Sequence, residues 1–402
     1  MNSSLGEQSS RSFDPTPANG SNKSARSRLL GIALCALLTC MALLVLSGRA
    51  HAQSVGPQQN ACDASMPLIA GGTNAIFGEP VVNVDGTRVV YVSTYDPFPG
   101  VNFDGSIELF VADSQPFSPA TITVDQQVTE SRGNILGGFN IMPDMISYFD
   151  QASVLHTLIV FASDRDLTGA NSDGGFEIFL AQTEPENWLV QLTDTRRSAS
   201  ILPSMSQLLA DGTLRVLFLS DADDREALPN AINTDRNQEL FLATVTLNGA
   251  QSSVASVVQV TQTDVDVLND QPTINGVGDH IAFVSTARSS VRPGNPVNNP
   301  DGNRELILGH VQGSGITLSQ ITKTSDGDNS APVLSEAGHR MAFVSNASGL
   351  PSTPQLVDSS GAPVNQIVAG GLGGGGNHGF TSLSAGPDRG SGETSPAEAG
   401  EP

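Results

Sequence analysis

Basic residues are scarce in this sequence: 19 Lys and Arg stand against 41 Asp and Glu, a formal charge of −22 over 402 residues. Nucleic acids and anionic bilayers require a positive footprint on the protein, so neither is expected as a partner, whereas a basic protein or a cation is. Cysteine is scarcer still. Of the three, Cys35 and Cys40 lie in an apolar leader and only Cys62 remains, so the folded chain can form no internal disulfide and must rest on packing and hydrogen bonds. Sustained helical periodicity is missing, aromatics amount to 5 %, and 41 Gly and 24 Pro point to a turn-rich, all-β protein. Also absent are a Gly-x-Ser-x-Gly elbow, a His-Glu-x-x-His pair, a P-loop and a dinucleotide fingerprint. The histidines His156, His280, His310, His339 and His378 stand beside no Cys or Glu at metal-ligand spacing. On these grounds the chain is expected not to be an enzyme.

The single long apolar run, residues 29–46, follows Arg11, Lys23, Arg26 and Arg28 and precedes Ala50-His51-Ala52, a small-x-small site. Residues 1–52 therefore read as a secretory signal peptide, with a retained anchor as the alternative because the run nears spanning length. Removing them takes away five basic and two acidic residues and brings the formal charge from −22 to −25. A periplasmic or secreted protein without stable membrane insertion is expected. Residues 53–74 read as a polar lead-in in which Cys62 is expected to be an unpaired thiol, with intermolecular pairing as the alternative.

What is present from about Ala75 onward is repetition, the mark of a repeat architecture. Pro80, Pro143, Pro203, Pro272 and Pro332 each open an apolar stretch, a place where the missing N–H removes no ladder bond. A second column ends in Ser: Val90-Tyr91-Val92-Ser93, Val160-Phe161-Ala162-Ser163, Leu217-Phe218-Leu219-Ser220, Ala282-Phe283-Val284-Ser285 and Ala342-Phe343-Val344-Ser345. Turn pairs such as Asp85-Gly86, Asp211-Gly212 and Gly278-Asp279 join the two. A third column reads Glu108-Leu109-Phe110, Glu177-Ile178-Phe179, Glu239-Leu240-Phe241 and Glu305-Leu306-Ile307. The fourth is Gln127-Val128-Thr129, Gln191-Leu192-Thr193, Gln259-Val260-Thr261 and Gln320-Ile321-Thr322. Four short strands per unit cannot bury both faces alone, so copies must pack face to face around an axis as a β-propeller.

The order of these columns resembles the WD40-like (PD40) repeat of the TolB-type β-propellers over about residues 75–370. The resemblance implies four-stranded blades; no helical domain of the kind that precedes the propeller in TolB is present, so TolB's role does not transfer. The fifth unit is degenerate, with shortened strands near Pro354 to Asp358 and Val364 to Val368. Five blades are expected, or six if Met66 to Ala70 helps to close the ring. The propeller is bounded at 75–369, and residues 370–402, rich in Gly, Ser and Pro, read as a disordered tail.

Long loops between the second and third strands share one face and carry Asp104, Asp164, Asp166, Asp173, Asp221, Asp223, Asp224, Asp235 and Asp301. Three of them hold an Asn-x-Asp-Gly-x-x-Glu pattern: Asn102, Asp104 and Glu108; Asn171, Asp173 and Glu177; Asn299, Asp301 and Glu305. Oxygen-bearing side chains around a glycine turn are calcium chemistry; the same residues also make an Asx-turn with no metal. In the third loop Arg236 replaces the glycine. The functional expectation is an exported, non-catalytic propeller that uses its acidic loop face as a scaffold for a basic protein partner or a ligand, with no cofactor unless calcium. The alternatives are a calcium-binding cell-envelope propeller and a non-catalytic relative of a propeller-gated peptidase. Mass spectrometry of the exported protein is expected to find its amino terminus at Gln53; a retained 30–46 segment would refute the signal reading.

Overall fold

The computed structural model describes residues 77–96, 100–114, 122–131, 138–196, 198–223, 232–347, 355–357, 363–372 and 378–384. The residues expected to form a signal peptide, the lead-in with Cys62, Asp224 and residues 385–402 lie outside these. Everything described is strand or turn.

Four sheets repeat one antiparallel meander. Blade 1 is β1 (Phe77–Val82), β2 (Arg88–Ser93), β3 (Glu108–Ser114) and β4 (Ile122–Gln127). Blade 2 is β5 (Asn140–Phe149), β6 (Leu155–Ser163), β7 (Glu177–Glu184) and β8 (Trp188–Gln191), and blade 3 is β9 (Ser200–Met205), β10 (Thr213–Ser220), β11 (Glu239–Thr246) and β12 (Ser253–Gln259). Blade 4 pairs β13 (Asn269–Ile274), β14 (His280–Ser285), β17 (Glu305–Gln312) and β18 (Gly315–Gln320), and its long loop adds a small hairpin, β15 (Ser290–Arg292) with β16 (Asn295–Pro296). The first strands β1, β5, β9 and β13 neighbour one another in succession, and so line the axis of a β-propeller.

A fifth sheet begins with β19 (Asn329–Leu334), beside β13, and β20 (Met341–Ser345). The remaining strands are β21 (Gln355–Val357), β22 (Pro363–Leu372) and β23 (His378–Ser384), ordered β19-β20-β23-β22-β21. The third place thus goes to β23 rather than to the segment at 355–357. The chain from Gly370 to Ser384 is paired backbone in its described parts, not the expected tail, because antiparallel addition to β20 and β22 satisfies its amides.

The core lies in the seams between sheets. Middle strands are covered on both sides, which is why they read as continuous apolar runs: residues 158–162 are wholly buried in β6. Rings directly opposite each other on strands two and three stack, Tyr91 on Phe110 at 5.7 Å, Phe161 on Phe179 at 5.6 Å and Phe218 on Phe241 at 5.9 Å. Phe161 and Phe179 face Val90, Leu109 and Val111 of blade 1 across the first seam. The hairpin turns behave as their sequence requires, with Gly86, Gly212 and Gly278 at φ of 70°, 77° and 74°. Phe179→Ala should leave a void in the first seam and cost about 3–5 kcal/mol, read as a lowered urea midpoint with an unchanged slope.

Candidate functional site

Each third-column glutamate is buried and held in a cage of donors. Glu108 accepts from the Thr129 and Ser131 hydroxyls and from Ser131 N–H at 2.8 Å. Glu177 accepts from Thr193 Oγ1, Thr195 Oγ1 and Thr195 N–H, Glu239 from Thr261 and Thr263, and Glu305 from Thr324. The next blade supplies one more donor. Asn140 Nδ2 reaches Glu108 Oε2 at 3.1 Å, Asn269 Nδ2 reaches Glu239 Oε2 at 3.2 Å, and Asn329 Nδ2 reaches Glu305 Oε2 at 3.2 Å. The Asn oxygen then accepts from the serine ending strand two, Ser163 at 2.8 Å or Ser285 at 2.9 Å. At the second seam Ser200 stands in the asparagine's place and bonds Ser220 instead. By strand register Phe77 holds this place in blade 1.

The cages explain the carboxyls' acidity. Burial raises all four glutamates, against the opposing pull of the hydroxyl donors; Glu177, with the Asp173 charge nearby as well, is pushed up to about 7. They are seam groups first. Asn102, Asn171 and Asn299 are buried, each donating Nδ2 to the carbonyl four residues on, while Asp104 and Asp173 accept the N–H two residues on as Asx-turns. Gly105, Gly174 and Gly302 take φ of 66°, 69° and 71°, and Arg236 takes 57° in the same place, strained but serving the same turn. In blade 1 the Ser106 hydroxyl lies among Asn102 Oδ1 (3.1 Å), Asp104 Oδ1 (2.9 Å) and Glu108 Oε1 (2.7 Å). In blade 4 Asn303 takes that position and donates to Thr324 and Gly327, while Asp301 is exposed at the turn. Among the described residues no group of three His, Cys, Asp or Glu is gathered around a common point.

The residues facing the axis were less visible in sequence. Glu79, Met142, Leu202, Gln271 and Ala331 each precede the column-one proline and each is left-handed, with φ from 49° to 57° at a register shift of its strand. They stand near the loop-face mouth of the axis. Glu79 Oε2 accepts from Met142 N–H and Gln271 Oε1 accepts from Ala331 N–H at 2.6 Å, so two of the five latch one blade to the next. Met142, Leu202 and Phe176 all border the same core cluster, and the Phe176 ring stacks on Phe139 at 6.4 Å. Beside them Asp164 accepts from Phe139 N–H at 2.6 Å, Asp144 from Met205 N–H at 2.8 Å, and Asp270 lies 3.4 Å from Arg304. Burial holds all three carboxyls above the ordinary aspartate range.

Other acidic loop residues are anchors rather than a bare rim. Asp166 caps Asn171 N–H at 3.0 Å, Asp221 accepts from Ala199 N–H at 2.6 Å, and Asp223 is buried 3.8 Å from Arg236. On the opposite face His280, half-buried, opens β14. Its ring lies 4.9 Å from that of His310 directly across the ladder, and Nδ1 is 2.7 Å from Asp279 Oδ1.

No family model matches the chain, and no curated protein sequence matches it. Solved structures do. A thermostable family-43 glycoside hydrolase is similar at 15 % identity and a TM-score of 0.36, over 82 % of this chain and 99 % of that one. Hydrazine synthase from Kuenenia stuttgartiensis gives 12 % and 0.40, over 68 % of this chain and 36 % of that one. Trypanosoma rangeli sialidase, in complex with the inhibitor DANA, gives 11 % and 0.36, over 76 % and 54 %. These likenesses concern the fold alone. The expectation of a non-catalytic scaffold, and of a chain that is not an enzyme, is withdrawn: the motifs whose absence carried it belong to other folds, and a β-propeller serves catalysis as readily as binding.

Burial gives Glu239 a higher folded than unfolded pKa, so the folded state keeps a proton that the unfolded chain releases. This stabilisation is whole below the ordinary glutamate range and is lost as pH rises through the folded-state value. Glu239→Gln should therefore flatten the decline of Tm between acid and neutral pH in thermal unfolding series; an unchanged slope would show that the cage does not titrate.

Proposed function

We propose that the loop-face mouth of the axis is a saccharide-binding cleft in a divergent TolB-type propeller, with its carboxyls serving as acceptors and as acid–base groups. The observation that carries this is the ring of five left-handed pre-proline residues, Glu79, Met142, Leu202, Gln271 and Ala331. Such conformations cost about 1–3 kcal/mol each and collect where a surface is shaped for use. A saccharide offers hydroxyl donors around an apolar ring face. The matching kinds of group are present, oxygens on Glu79 and Gln271 and apolar surface on Met142, Leu202 and the stacked Phe139 and Phe176. Carboxyls raised by burial, Asp144, Asp164 and Asp270, fall toward the range a general acid needs. The net charge of −22 disfavours anionic sugars and favours neutral or amino sugars. The TolB-type assignment is supported by the four sequence columns and their register.

The test is calorimetric titration with neutral and amino oligosaccharides, together with release of nitrophenol from the corresponding aryl glycosides. Wild type should bind, and Leu202→Trp, which crowds the mouth, should weaken binding at least ~10-fold, the effect of about 1.4 kcal/mol, without lowering Tm. No binding and no turnover across the panel would overturn the proposal. So would an oligolysine peptide that binds wild type and Leu202→Trp equally while sugars bind neither.

A further inference from the structure

Away from the axis, a cavity of about 270 Å³ lies where the β15–β16 hairpin of blade 4 meets the outer strand of blade 3. Its walls are Ile232, Val257 and Val258, the polar Gln259, Thr261 and Gln262, and a single charged residue, Arg292. Two bonds close the hairpin against blade 3. Gln262 N–H donates to Val291 O at 2.9 Å, and Arg292 Nη1 donates to Gln259 O at 3.1 Å. Ile232 nevertheless stays 62 % exposed at the rim. Another cavity, of about 300 Å³ at the outer edge of blade 2, has no charged residue in its walls and so nothing to select a ligand by charge.

The cavity opens onto a sheet edge. Val260 N–H bonds Leu240 O at 2.7 Å, inward to β11. Backbone groups alternate along a strand, so Val258 also faces β11, while Val257 and Gln259 turn theirs outward, as the bond from Arg292 to Gln259 O bears out. The β11–β12 register skips Ala255, which leaves Ser256–Gln259 as the regular part of the edge. In blade 4 the matching place is closed: Leu318, two before the column-four Gln320, donates its N–H to Asn295 Oδ1 at 2.8 Å. Val257, two before Gln259, meets no such acceptor among the described residues. Nor is the strand blunted in the usual ways, for Ser253–Gln259 holds neither charge nor proline, whereas the outer strand of blade 1 carries Asp125.

Arg292 decides what chemistry fits there. Arg88, Arg236 and Arg304 each face a carboxylate. Arg292 faces none among the described residues, although acidic residues outnumber basic ones 41 to 19. Its bond to Gln259 O leaves donors of the guanidinium fork unused, and that fork matches a carboxylate. We propose that the outer edge of blade 3 binds an extended peptide bearing a carboxylate, which adds a strand at Val257, lays apolar side chains against Ile232 and Val258, and gives its carboxylate to Arg292. Main-chain bonds supply affinity in this mode and the side-chain contacts supply selectivity. A second copy of the chain fits less well, since it would bring another charge of −22 to the contact. The site is separate from the axial mouth, so it stands or falls independently of saccharide binding.

The experiment follows the full chain by fluorescence anisotropy with a dye-labelled peptide of alternating valine and threonine, in three forms: a free C-terminal carboxylate, the C-terminal amide, and the amide with a final glutamate. Wild type should bind at least one acid-bearing form on the order of 10-fold more tightly than the neutral amide, the effect of one charge-assisted contact; which form binds identifies the carboxylate as terminal or side-chain. Bound peptide should also slow hydrogen exchange at the Val257 amide. Arg292→Gln should remove the preference for the acid without lowering Tm. Val257→Pro, which deletes an N–H that the β11 ladder does not use, should abolish binding of every form. The proposal is overturned if no form binds, if the neutral amide binds as well as the acids, or if Val257→Pro binds like wild type while keeping its Tm. A dimer in sedimentation equilibrium that Val257→Pro dissolves, with no peptide bound, would make a second copy the occupant and overturn it as well.

Discussion

The propeller depends on one buried hydrogen-bonded relay that runs from strand two of one blade to strand four of the blade before it. Ser163, Asn140, Glu108 and Thr129 form it at the first seam, and Ser285, Asn269, Glu239 and Thr261 at the third. An unpaired carboxyl in such a place would be heavily destabilising, whereas one held by several donors, an amide of the next blade among them, fixes the rotation of a blade against its neighbour. Apolar packing between sheets is tolerant of sliding; the relay is not. The seams thus take most of their stabilising area from Leu, Val, Ile and Phe and their register from Glu, Thr and Asn.

The axis is organised by a different constraint. Proline at the fourth place of each first strand removes one ladder donor, and the residue before it turns left-handed where the strand slips register. Because that happens at one level in every blade, five side chains are brought to one mouth that no local sequence pattern announces. Two of them, Glu79 and Gln271, bond the following backbone, and two others, Met142 and Leu202, supply apolar surface. The mouth is mixed in polarity because each blade is free to vary the one residue whose backbone is fixed.

Much of the fold could be read from residues alone, since every element leaves a periodic mark: proline in the first strand, an apolar run ending in Ser, Asp-Gly turns, Glu before an aromatic, Gln-x-Thr at the end. Glu108, Glu177 and Glu305 show in sequence only as carboxylates next to a turn, because their hydrogen-bond partners lie 16 to 32 residues onward. A signal was there. Asn140, Asn269 and Asn329 recur three residues before the column-one proline in step with Glu and Thr, and their absence at Ser200 marks the seam that differs. The β15–β16 hairpin and the His280–His310 contact left no such trace, the first because it occurs once, the second because its halves are 30 residues apart. The third strand of the fifth sheet was misplaced because β23 comes from Gly-rich chain with no apolar period.

The relay also has a direction. Blades 1, 2, 3 and 4 each place a glutamate acceptor at the seam after them, and blades 2, 4 and 5 an asparagine amide at the seam before them, so a repeat unit is complete only between two others. The first blade presents Phe77 where an amide is needed, and the fifth has no column-three glutamate among its described strands. The array is therefore tied inward from both ends, and amide exchange should enter it at the outer blades and reach the Glu177 and Glu239 seams last, as a chain of links parts from its free ends.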